Sequence, residues 1–151
     1  MPPTNSDSRI TPIGKITISE RGGRIVSIKA GESYYCSRNK ILDEAFEQLN
    51  EYLKGERKTF DLDLEPEGTD FQKDVWNALL DVPYGKTINY SELAKASGHL
   101  RAVRAVGGAM HSNPIPIVIP CHRVIRSDGS IGGYALGPDL KTRLLKLEGF
   151  L

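Results

Sequence analysis

The pattern of apolar residues changes at Pro66-Glu67-Gly68, and this change limits the possible folds more than any other feature of the chain. Before it, residues 13–19 and 25–30 alternate between apolar and polar side chains around a glycine turn, which predicts a β-hairpin. After it, apolar residues recur mainly at helical spacing. We therefore predict two domains, residues 1–65 and residues 66–151, in an α/β protein.

The first domain is predicted to contain one helix and one further strand. From Ile41 the apolar residues follow helical spacing, and Gly55 provides a stop signal. Phe60, Leu62 and Leu64 then alternate with polar residues, which is typical of a strand. The first domain thus combines β-strands with a helix.

The second domain is predicted to begin with a well-marked helix. Thr69 and Gln72 form a capping-box pattern, and the helical spacing stops before the next proline. Ser91 is predicted to cap a short helix that Gly98 interrupts, and residues 101–110 predict a second helix. Two helices joined by a glycine turn indicate a helix-turn-helix.

The end of the chain predicts a wing and a last helix. Val124-Ile125 and Ile131 flank a Ser127-Asp128-Gly129 turn, which is typical of a hairpin. Beyond it, Leu140, Leu144 and Leu147 predict a helix that ends at Gly149. A helix-turn-helix followed by a hairpin predicts a winged helix-turn-helix domain.

Composition narrows the class of protein. The chain is 39% hydrophobic and 26% charged, which is typical of a folded domain. It contains no apolar run near the roughly 18 residues that a membrane span needs, and no signal-peptide pattern. We expect a soluble, cytoplasmic protein with no membrane partner. Two cysteines and three distant histidines predict neither a disulfide framework nor a metal site, and no cofactor is expected.

The charge is unevenly divided along the chain. Residues 1–83 carry 11 Lys and Arg against 15 Asp and Glu, whereas residues 84–151 carry 9 against 4. The second part therefore favours an anionic partner such as nucleic acid. A solvated surface with a chance excess of charge is the alternative.

The second helix of the helix-turn-helix has two unlike faces. One predicted face is apolar and consists of Ala102, Val103, Val106, Ala109 and Met110, and the other consists of Arg101, Arg104, Ala105, Gly108 and His111. A helical glycine costs about 1 kcal/mol relative to alanine, so small residues beside arginines indicate that something approaches the backbone closely. Either another helix or DNA fits this pattern.

The segment from Asn113 to Val124 is the most informative for chemistry. Its three prolines stiffen the backbone, so we expect Cys121 on a rigid, extended segment. A thiol attacks as the thiolate and needs a base or a positive charge nearby, for which His122 and Arg123 are candidates. Neighbouring side chains on an extended segment point in opposite directions, so a bridge through water or a bent backbone is expected instead of direct contact.

Other interpretations of the cysteines and histidines remain open. A lone Cys-His pair is also compatible with Cys121 as a buried structural cysteine. Cys36 has no histidine neighbour and is interpreted as structural or incidental. His99 and His111 are expected to be turn and surface residues.

Several motifs together resemble one family. Pro120-Cys121-His122-Arg123-Val124, preceded by Asn113-Pro114 and by Arg104-Ala105-Val106-Gly107-Gly108-Ala109-Met110, resembles the 6-O-alkylguanine-DNA alkyltransferases, also called methylated-DNA–protein-cysteine methyltransferases. The resemblance runs from about Phe71 to Glu148 and includes Pro83-Tyr84-Gly85-Lys86-Thr87 and Gly132-Gly133-Tyr134. The first 65 residues match only in the order of strands and helix.

The resemblance implies a fold and an activity. The fold would be an N-terminal ribonuclease H-like α/β lobe plus a C-terminal winged helix-turn-helix domain. The protein would act as a monomer on double-stranded DNA carrying 6-O-alkylguanine, bound through the minor groove. It would flip out the damaged base and transfer the alkyl group irreversibly to Cys121, once per molecule. Some members bind zinc in the first lobe, but that lobe here holds only Cys36 and no histidine.

The resemblance also implies residue roles. Glu148 and His122 would activate Cys121 through a water, Asn113 would hold the segment, and Tyr90 would crowd the 3′ phosphate and donate toward the guanine ring nitrogen. Arg104 would replace the flipped nucleotide in the base stack. The remaining expected DNA-binding residues are Ala105, Gly108, Arg101 and Arg123, and the expected pocket residues are Pro116, Val124, Tyr134 and Ala135, the last of which is often serine in the family.

Three other functions compete with repair. A binder of damaged DNA without chemistry would need the same domain but not Cys121. A transcriptional regulator would need only the helix-turn-helix and the basic surface. A thiol hydrolase would need a Cys-His pair and an oxyanion hole. The number of alkyl groups transferred per protein molecule separates these possibilities.

Overall fold

The computed structural model describes residues 2–151 and divides the chain between Glu67 and Gly68 into two compact units. The predicted boundary after Glu65 lies in the same Pro66-Glu67-Gly68 segment. Each unit has its own hydrophobic core.

The N-terminal unit is built on a three-stranded antiparallel sheet of order β1-β2-β3. The strands are β1 (Thr4–Thr11), β2 (Gly14–Arg21) and β3 (Arg24–Ala30), so the predicted hairpin is confirmed. The sequence did not predict β1, because hydroxyl pairs and not apolar residues face β2. The Oγ atoms of Ser6 and Ser19 lie 2.7 Å apart, as do Ser8 Oγ and Thr17 Oγ1.

Helix α1 (Lys40–Leu53) contacts β1 and β2. It begins at Asn39, whose side chain accepts from Leu42 N. The strand predicted at residues 60–64 is wrong, because only Leu64 forms a parallel bridge, with Ile25. The Gln48 side chain bonds both the N–H and the C=O of Asp61, so these groups are not available to a strand ladder.

The C-terminal unit contains the predicted helix-turn-helix. Helix α2 (Asp70–Leu80) begins with the predicted Thr69 and Gln72 capping box, and α3 (Tyr90–Ala96) and α4 (Val103–His111) follow. The predicted cap at Ser91 is wrong. Asn89 caps α3 and forms a capping box with Glu92, and Ser91 lies inside the helix.

The predicted hairpin of the wing is also corrected. After a 3₁₀ turn (Cys121–Arg123), strand β5 (Val124–Ile125) pairs in parallel with β4 (Ile88–Asn89) and not with Ile131. The loop after β5 still closes as a turn, because Arg126 N donates to Ser130 O at 2.9 Å. Pairing with β4 therefore ties the segment after Cys121 to the start of α3.

Helix α5 (Pro138–Leu147) completes the C-terminal unit. The core contains Trp76, whose indole N–H donates to Ala109 O of α4 at 2.8 Å. A Cβ on Gly68 would lie 2.5 Å from the Trp76 ring, so only glycine fits there. None of the helices in residues 2–151 is long and apolar enough to cross a membrane.

Candidate active site

Cys121 begins a turn and does not lie on the extended segment that was predicted, so the backbone is bent here, which was one of the two predicted alternatives. Its carbonyl accepts from Val124 N, and Arg123 N donates to Pro120 O at 3.0 Å, which closes the 3₁₀ turn. The preceding segment is buried, and Ile117 there has a φ of 75°, an unusual value for a β-branched residue. The turn brings His122 and Arg123 to the same partner, because consecutive side chains no longer point in opposite directions.

That partner is Glu148, at the C-terminal end of α5. Its carboxylate lies 2.7 Å from His122 Nε2 and accepts from Arg123 at 2.8 and 3.0 Å. The backbone N–H of Gly85 donates a further bond at 3.0 Å. The side chains of Glu148 and His122 are completely buried. Four hydrogen bonds therefore fix one carboxylate beside the turn that carries Cys121.

The side chain of Arg123 forms its hydrogen bonds within the protein. Besides its two bonds to Glu148, its guanidinium donates to Val82 O at 2.7 Å, and the residue is 7% exposed. A buried guanidinium that is bonded to Glu148 and to Val82 O is not presented to DNA. The prediction that Arg123 binds DNA is therefore corrected to a structural role in holding Glu148.

His122 is suited to accept a proton. Burial lowers the pKa of His122, and the neighbouring Glu148 offsets this effect only in part. The imidazole is therefore neutral at pH 7. A carboxylate only accepts, so Nε2 carries the proton toward Glu148 and Nδ1 has the lone pair.

Cys121 is held as a buried thiol. It is 2% exposed, and Asn113 Nδ2 donates to its Sγ at 3.3 Å and to Ile119 O at 2.8 Å. Burial raises the pKa of Cys121 to about 11, although Asn113 and Lys141 lower it in part. Reaction at neutral pH therefore needs a group that removes the proton or balances the negative charge.

Tyr90 lies close to Gly132, and Tyr134 lies close to His122. Tyr90 is the first residue of α3, and its hydroxyl is 3.3 Å from the position of a Cβ on Gly132. Glycine is favoured at position 132 for two reasons: its φ is 74°, and a side chain there would contact the Tyr90 hydroxyl. The Tyr134 ring is buried, 6.3 Å from the His122 ring. Among the other predicted pocket residues, Pro116 and Val124 are buried and Ala135 is exposed.

The two faces of α4 divide largely as predicted. The residues Val106, Ala109 and Met110 are buried, Ala102 and Val103 are half-buried, and Arg101, Arg104, Ala105, Gly108 and His111 are exposed. A Cβ on Gly108 would meet nothing within 4 Å. Helix packing within this unit therefore does not require glycine at this position, which favours approach by a molecule from outside.

The comparisons with known proteins decide the family. The family model "6-O-methylguanine DNA methyltransferase, DNA binding domain" matches residues 70–150, and the ribonuclease-like domain of the same family matches residues 10–66. The chain belongs to the 6-O-methylguanine DNA methyltransferase family. The predicted fold class, a ribonuclease-like α/β domain with a C-terminal DNA-binding domain, is confirmed.

The relatives cover nearly the whole chain. The methylated-DNA–protein-cysteine methyltransferase of Methanosarcina acetivorans is 47% identical, over 92% of this chain and 94% of its own. Its counterpart in Bacillus subtilis is 40% identical, with 91% of each chain covered. The solved structure of Mycobacterium tuberculosis OGT in complex with DNA has a TM-score of 0.88 at 39% identity and covers 95% of this chain and 92% of that one.

The sequence did not predict one buried residue of this methyltransferase-family site, Lys141. Lys141 on α5 is completely buried, and its ammonium donates to Val124 O at 2.6 Å and to Gly133 O at 3.0 Å. Its spacing could have predicted that Lys141 is buried, because it lies on the same face of α5 as the buried Leu144 and Leu145. A lysine on an apolar helix face is unusual and marks a position with a specific partner.

Proposed function

We propose that this protein repairs DNA by direct reversal, transferring the alkyl group of 6-O-methylguanine or another 6-O-alkylguanine to Cys121. Relatives with 40–48% identity are named methylated-DNA–protein-cysteine methyltransferases. The observation that carries the assignment to Cys121 is its buried thiol, bonded by Asn113 and adjacent to the His122–Glu148 pair. The second cysteine, Cys36, is exposed. A reactive thiol must stay reduced, so we place the protein in the cytoplasm.

The proposed reaction is an in-line displacement. The sulfur forms a bond to the alkyl carbon, the bond from that carbon to guanine O6 breaks, and its electron pair remains on the guanine. The thiol proton moves to His122 through a water, and Glu148 stabilises the resulting imidazolium. Tyr90 donates a proton toward the guanine ring as the base leaves. The thioether product is stable, so each molecule acts once.

The target base must leave the DNA stack to reach the thiol. In-line attack needs the sulfur about 3–3.5 Å behind the alkyl carbon, a position that stacked duplex blocks. We propose that α4 enters the minor groove of duplex DNA, with Arg101 in the turn that precedes it. Ala105 and Gly108 allow the helix backbone close to the DNA, and Arg104 fills the space of the flipped nucleotide. The protein is proposed to bind as a monomer.

The flipped guanine is proposed to lie against the turn that carries Cys121. The carbonyls of Cys121 and Val124 accept from the guanine amino group, and the Ala135 amide donates to the substituted oxygen. Pro116 and Tyr134 pack on the alkyl group. Because position 135 is alanine here, this contact uses only the backbone.

Stoichiometric transfer tests the proposal. Duplex DNA with a labelled methyl group on guanine O6 is incubated with excess protein, and the labelled peptide is identified by mass. We expect one methyl group per protein molecule on Cys121. A protein that binds DNA without label would be a lesion binder, and a protein that releases many labelled products would be a hydrolase. Either result contradicts the proposal.

Base flipping is tested separately with Arg104→Ala. We expect this variant to slow repair of duplex DNA by an amount equivalent to a few kcal/mol, because it no longer fills the vacated space in the stack. Reaction with the free alkylated base should be nearly unchanged. Arg24→Ala, which removes an exposed arginine from the N-terminal unit, is the matched control. Equal losses on both substrates would show that Arg104 acts on the fold or on the thiol.

A further inference from the structure

The segment Pro83-Tyr84-Gly85-Lys86 has no role in the reaction described so far, although it is one of the motifs in the sequence. It connects α2 to β4 and forms a β-turn, because Lys86 N donates to Pro83 O at 3.1 Å. Gly85 occupies the third position of this turn with a φ of 76°, which glycine adopts without strain. The bond that closes the turn does not use the N–H of Gly85. That N–H is therefore available to a partner outside the turn.

The partner of this N–H is the carboxylate of Glu148. Gly85 N donates to Glu148 Oε1 at 3.0 Å, while Glu148 Oε2 lies 2.7 Å from His122 Nε2. Glu148 is the C-cap of α5, and the Tyr84 hydroxyl donates to the preceding carbonyl, Leu147 O, at 3.3 Å. The turn thus bonds the side chain of Glu148 and also the backbone next to it.

The same part of the chain contacts Arg123, the other partner of this carboxylate. Val82, directly before the turn, accepts from Arg123 Nη1 at 2.7 Å. The ring of Tyr84 lies 5.7 Å from the guanidinium carbon of Arg123, within the range of a cation–π contact. Arg123 and Glu148 form a buried ion pair. Segment 82–85 therefore restrains both members of this ion pair.

We propose that the turn formed by Tyr84 and Gly85 is a positioning element for alkyl transfer. It restrains the carboxylate of Glu148, which keeps the proton of His122 on Nε2 and leaves Nδ1 to accept the thiol proton. When the imidazolium forms, the carboxylate already lies in place and does not have to reorganise. This role deepens the proposed function and rests on it for the identity of the alkyl donor.

Gly85 is the residue at which this positioning can be disturbed. A Cβ there would lie 3.1 Å from the backbone oxygen of Glu148, which is closer than ordinary van der Waals contact. Gly85→Ala must therefore move the turn or Glu148, and it also strains the backbone at a φ of 76°. Gly98 has a similar φ of 83°, but a Cβ there meets nothing within 4 Å. Gly98→Ala introduces the backbone strain alone and is the matched control.

The test uses iodoacetamide, an electrophile that needs neither DNA nor guanine. Its reaction rate with Cys121 is measured from pH 7 to pH 10 in a Cys36→Ser background. Burial raises the pKa of Cys121 to about 11, so at neutral pH the thiol has to pass its proton to His122. As the pH approaches that value, hydroxide removes the proton directly. A defect in the transfer to His122 therefore shrinks with rising pH, whereas general damage to the structure does not.

We expect Gly85→Ala to react about tenfold more slowly than the parent at pH 7, which is the scale of one lost hydrogen bond to a charged group. The two rates should converge toward pH 10. Gly98→Ala should react at the parent rate throughout. A Gly85→Ala rate equal to that of the parent at pH 7, or a slowdown that is undiminished at pH 10, would overturn the proposal.

Tyr84→Phe decides the question if Gly85→Ala does not fold. It removes the hydroxyl that donates to Leu147 O and keeps the ring near Arg123. We expect its rate at pH 7 to be about threefold lower than that of the parent, because a bond between neutral groups is weaker, and the deficit should also shrink by pH 10. A parent-like rate at pH 7 would contradict the proposal. None of these rates depends on transfer from DNA, so a failure here and a failure of the proposed function are distinguishable.

Discussion

The two units of this protein each bury a carboxylate but surround it differently. In the N-terminal unit, Glu20 accepts from the side chains of Asn5 and Asn39 and from Gly23 N. In the C-terminal unit, the partners of Glu148 include His122 and Arg123. Amides cannot change charge near neutral pH, whereas an imidazole can. The first carboxylate therefore joins elements of the fold, and the second is connected to groups that exchange protons.

The two cysteines show the same contrast. Cys36 lies exposed in a loop, and its Sγ is 3.6 Å from Ser33 O. Cys121 is buried, accepts a bond from Asn113 and is followed by the buried His122. Exposure alone favours Cys36 as a target for reagents. Alkyl transfer to a thiol also needs a group that accepts the thiol proton, and the buried His122–Glu148 pair lies beside Cys121, which favours Cys121 as the acceptor.

The largest expected effect comes from exchanging each sulfur for oxygen. Cys121→Ser should abolish methyl transfer but retain binding to DNA, because the exposed face of α4 is unaffected. Cys36→Ser should transfer one methyl group per molecule, as the parent does. Labelled methylated duplex and a gel-shift assay measure both properties. Label found on Cys36 of the parent would reverse this assignment.

The next largest effect comes from neutralising each buried carboxylate. Glu148→Gln leaves the guanidinium of Arg123 buried without its counter-charge, which typically costs 3–5 kcal/mol. Glu20→Gln disturbs bonds from neutral donors and should cost about 1–2 kcal/mol. Urea unfolding measures both changes. Only Glu148→Gln should also slow transfer, and equal effects of the two variants on transfer would remove the distinction between the carboxylates.

The helices could be predicted from the sequence because apolar spacing and the Thr69–Gln72 capping box are local signals. Strand β1 could not, since Ser6 and Ser8 bond across the sheet without an apolar pattern. The interior position of Arg123 could not be predicted either. It depends on Glu148, which is 25 residues away in sequence.

The candidate site was predicted through family motifs more than through local rules. Local reasoning favoured an extended Cys121 segment, and the turn there forms because hydrogen bonds of Arg123 and Val124 close it. Lys141 was missed because its partners are backbone carbonyls, which leave no trace in residue type. Long-range contacts with the backbone are the part of such a site that the sequence does not reveal.

A smaller effect is expected when Cys121 carries the alkyl group. The thiol lies in a closely packed region and receives a bond from Asn113, so a permanent methyl group overpacks the site and removes that bond. Overpacking costs about 1–3 kcal/mol and the lost bond about 1 kcal/mol. For a chain of this size each kcal/mol lowers Tm by about 2–4 °C.

Calorimetry on unreacted, methylated and benzylated protein tests this destabilisation. We expect Tm to fall on methylation and to fall further on benzylation, because the larger group displaces more of the packing. Alkylation of Cys36 with iodoacetamide in a Cys121→Ser background is the control, and it should leave Tm unchanged since Cys36 is exposed. A Tm that stays constant or rises in both adducts would show that the pocket accommodates the alkyl group.

The smallest expected effect is that the two units respond to opposite ends of the pH scale. Burial alone would raise the pKa of Glu20, but bonds from Asn5, Gly23 and Asn39 outweigh it and hold that pKa below its usual value of 4.5. The unfolded chain then binds a proton at Glu20 before the folded chain does. The stability that Glu20 contributes is present above pH 4.5 and is lost as the pH falls through its lower, folded pKa.

At the alkaline end of the pH scale, stability depends on Lys141, which is a cation when ionised, whereas Glu20 is an anion. Its pKa is lowered from 10.5 to about 8 by burial, so between these values the unfolded chain binds more protons and stability rises with pH. Burial raises the pKa of Cys121 from 9.0 to about 11, so the unfolded thiol loses its proton first and stability falls from pH 9 upward. The effect of Lys141 on stability is therefore seen between pH 8 and pH 9. The rise there is at most about 1 kcal/mol for one proton. Urea unfolding at half-unit pH steps should show it in the parent and in Glu20→Gln but not in Lys141→Met, and a rise that persists in Lys141→Met would assign it to another group.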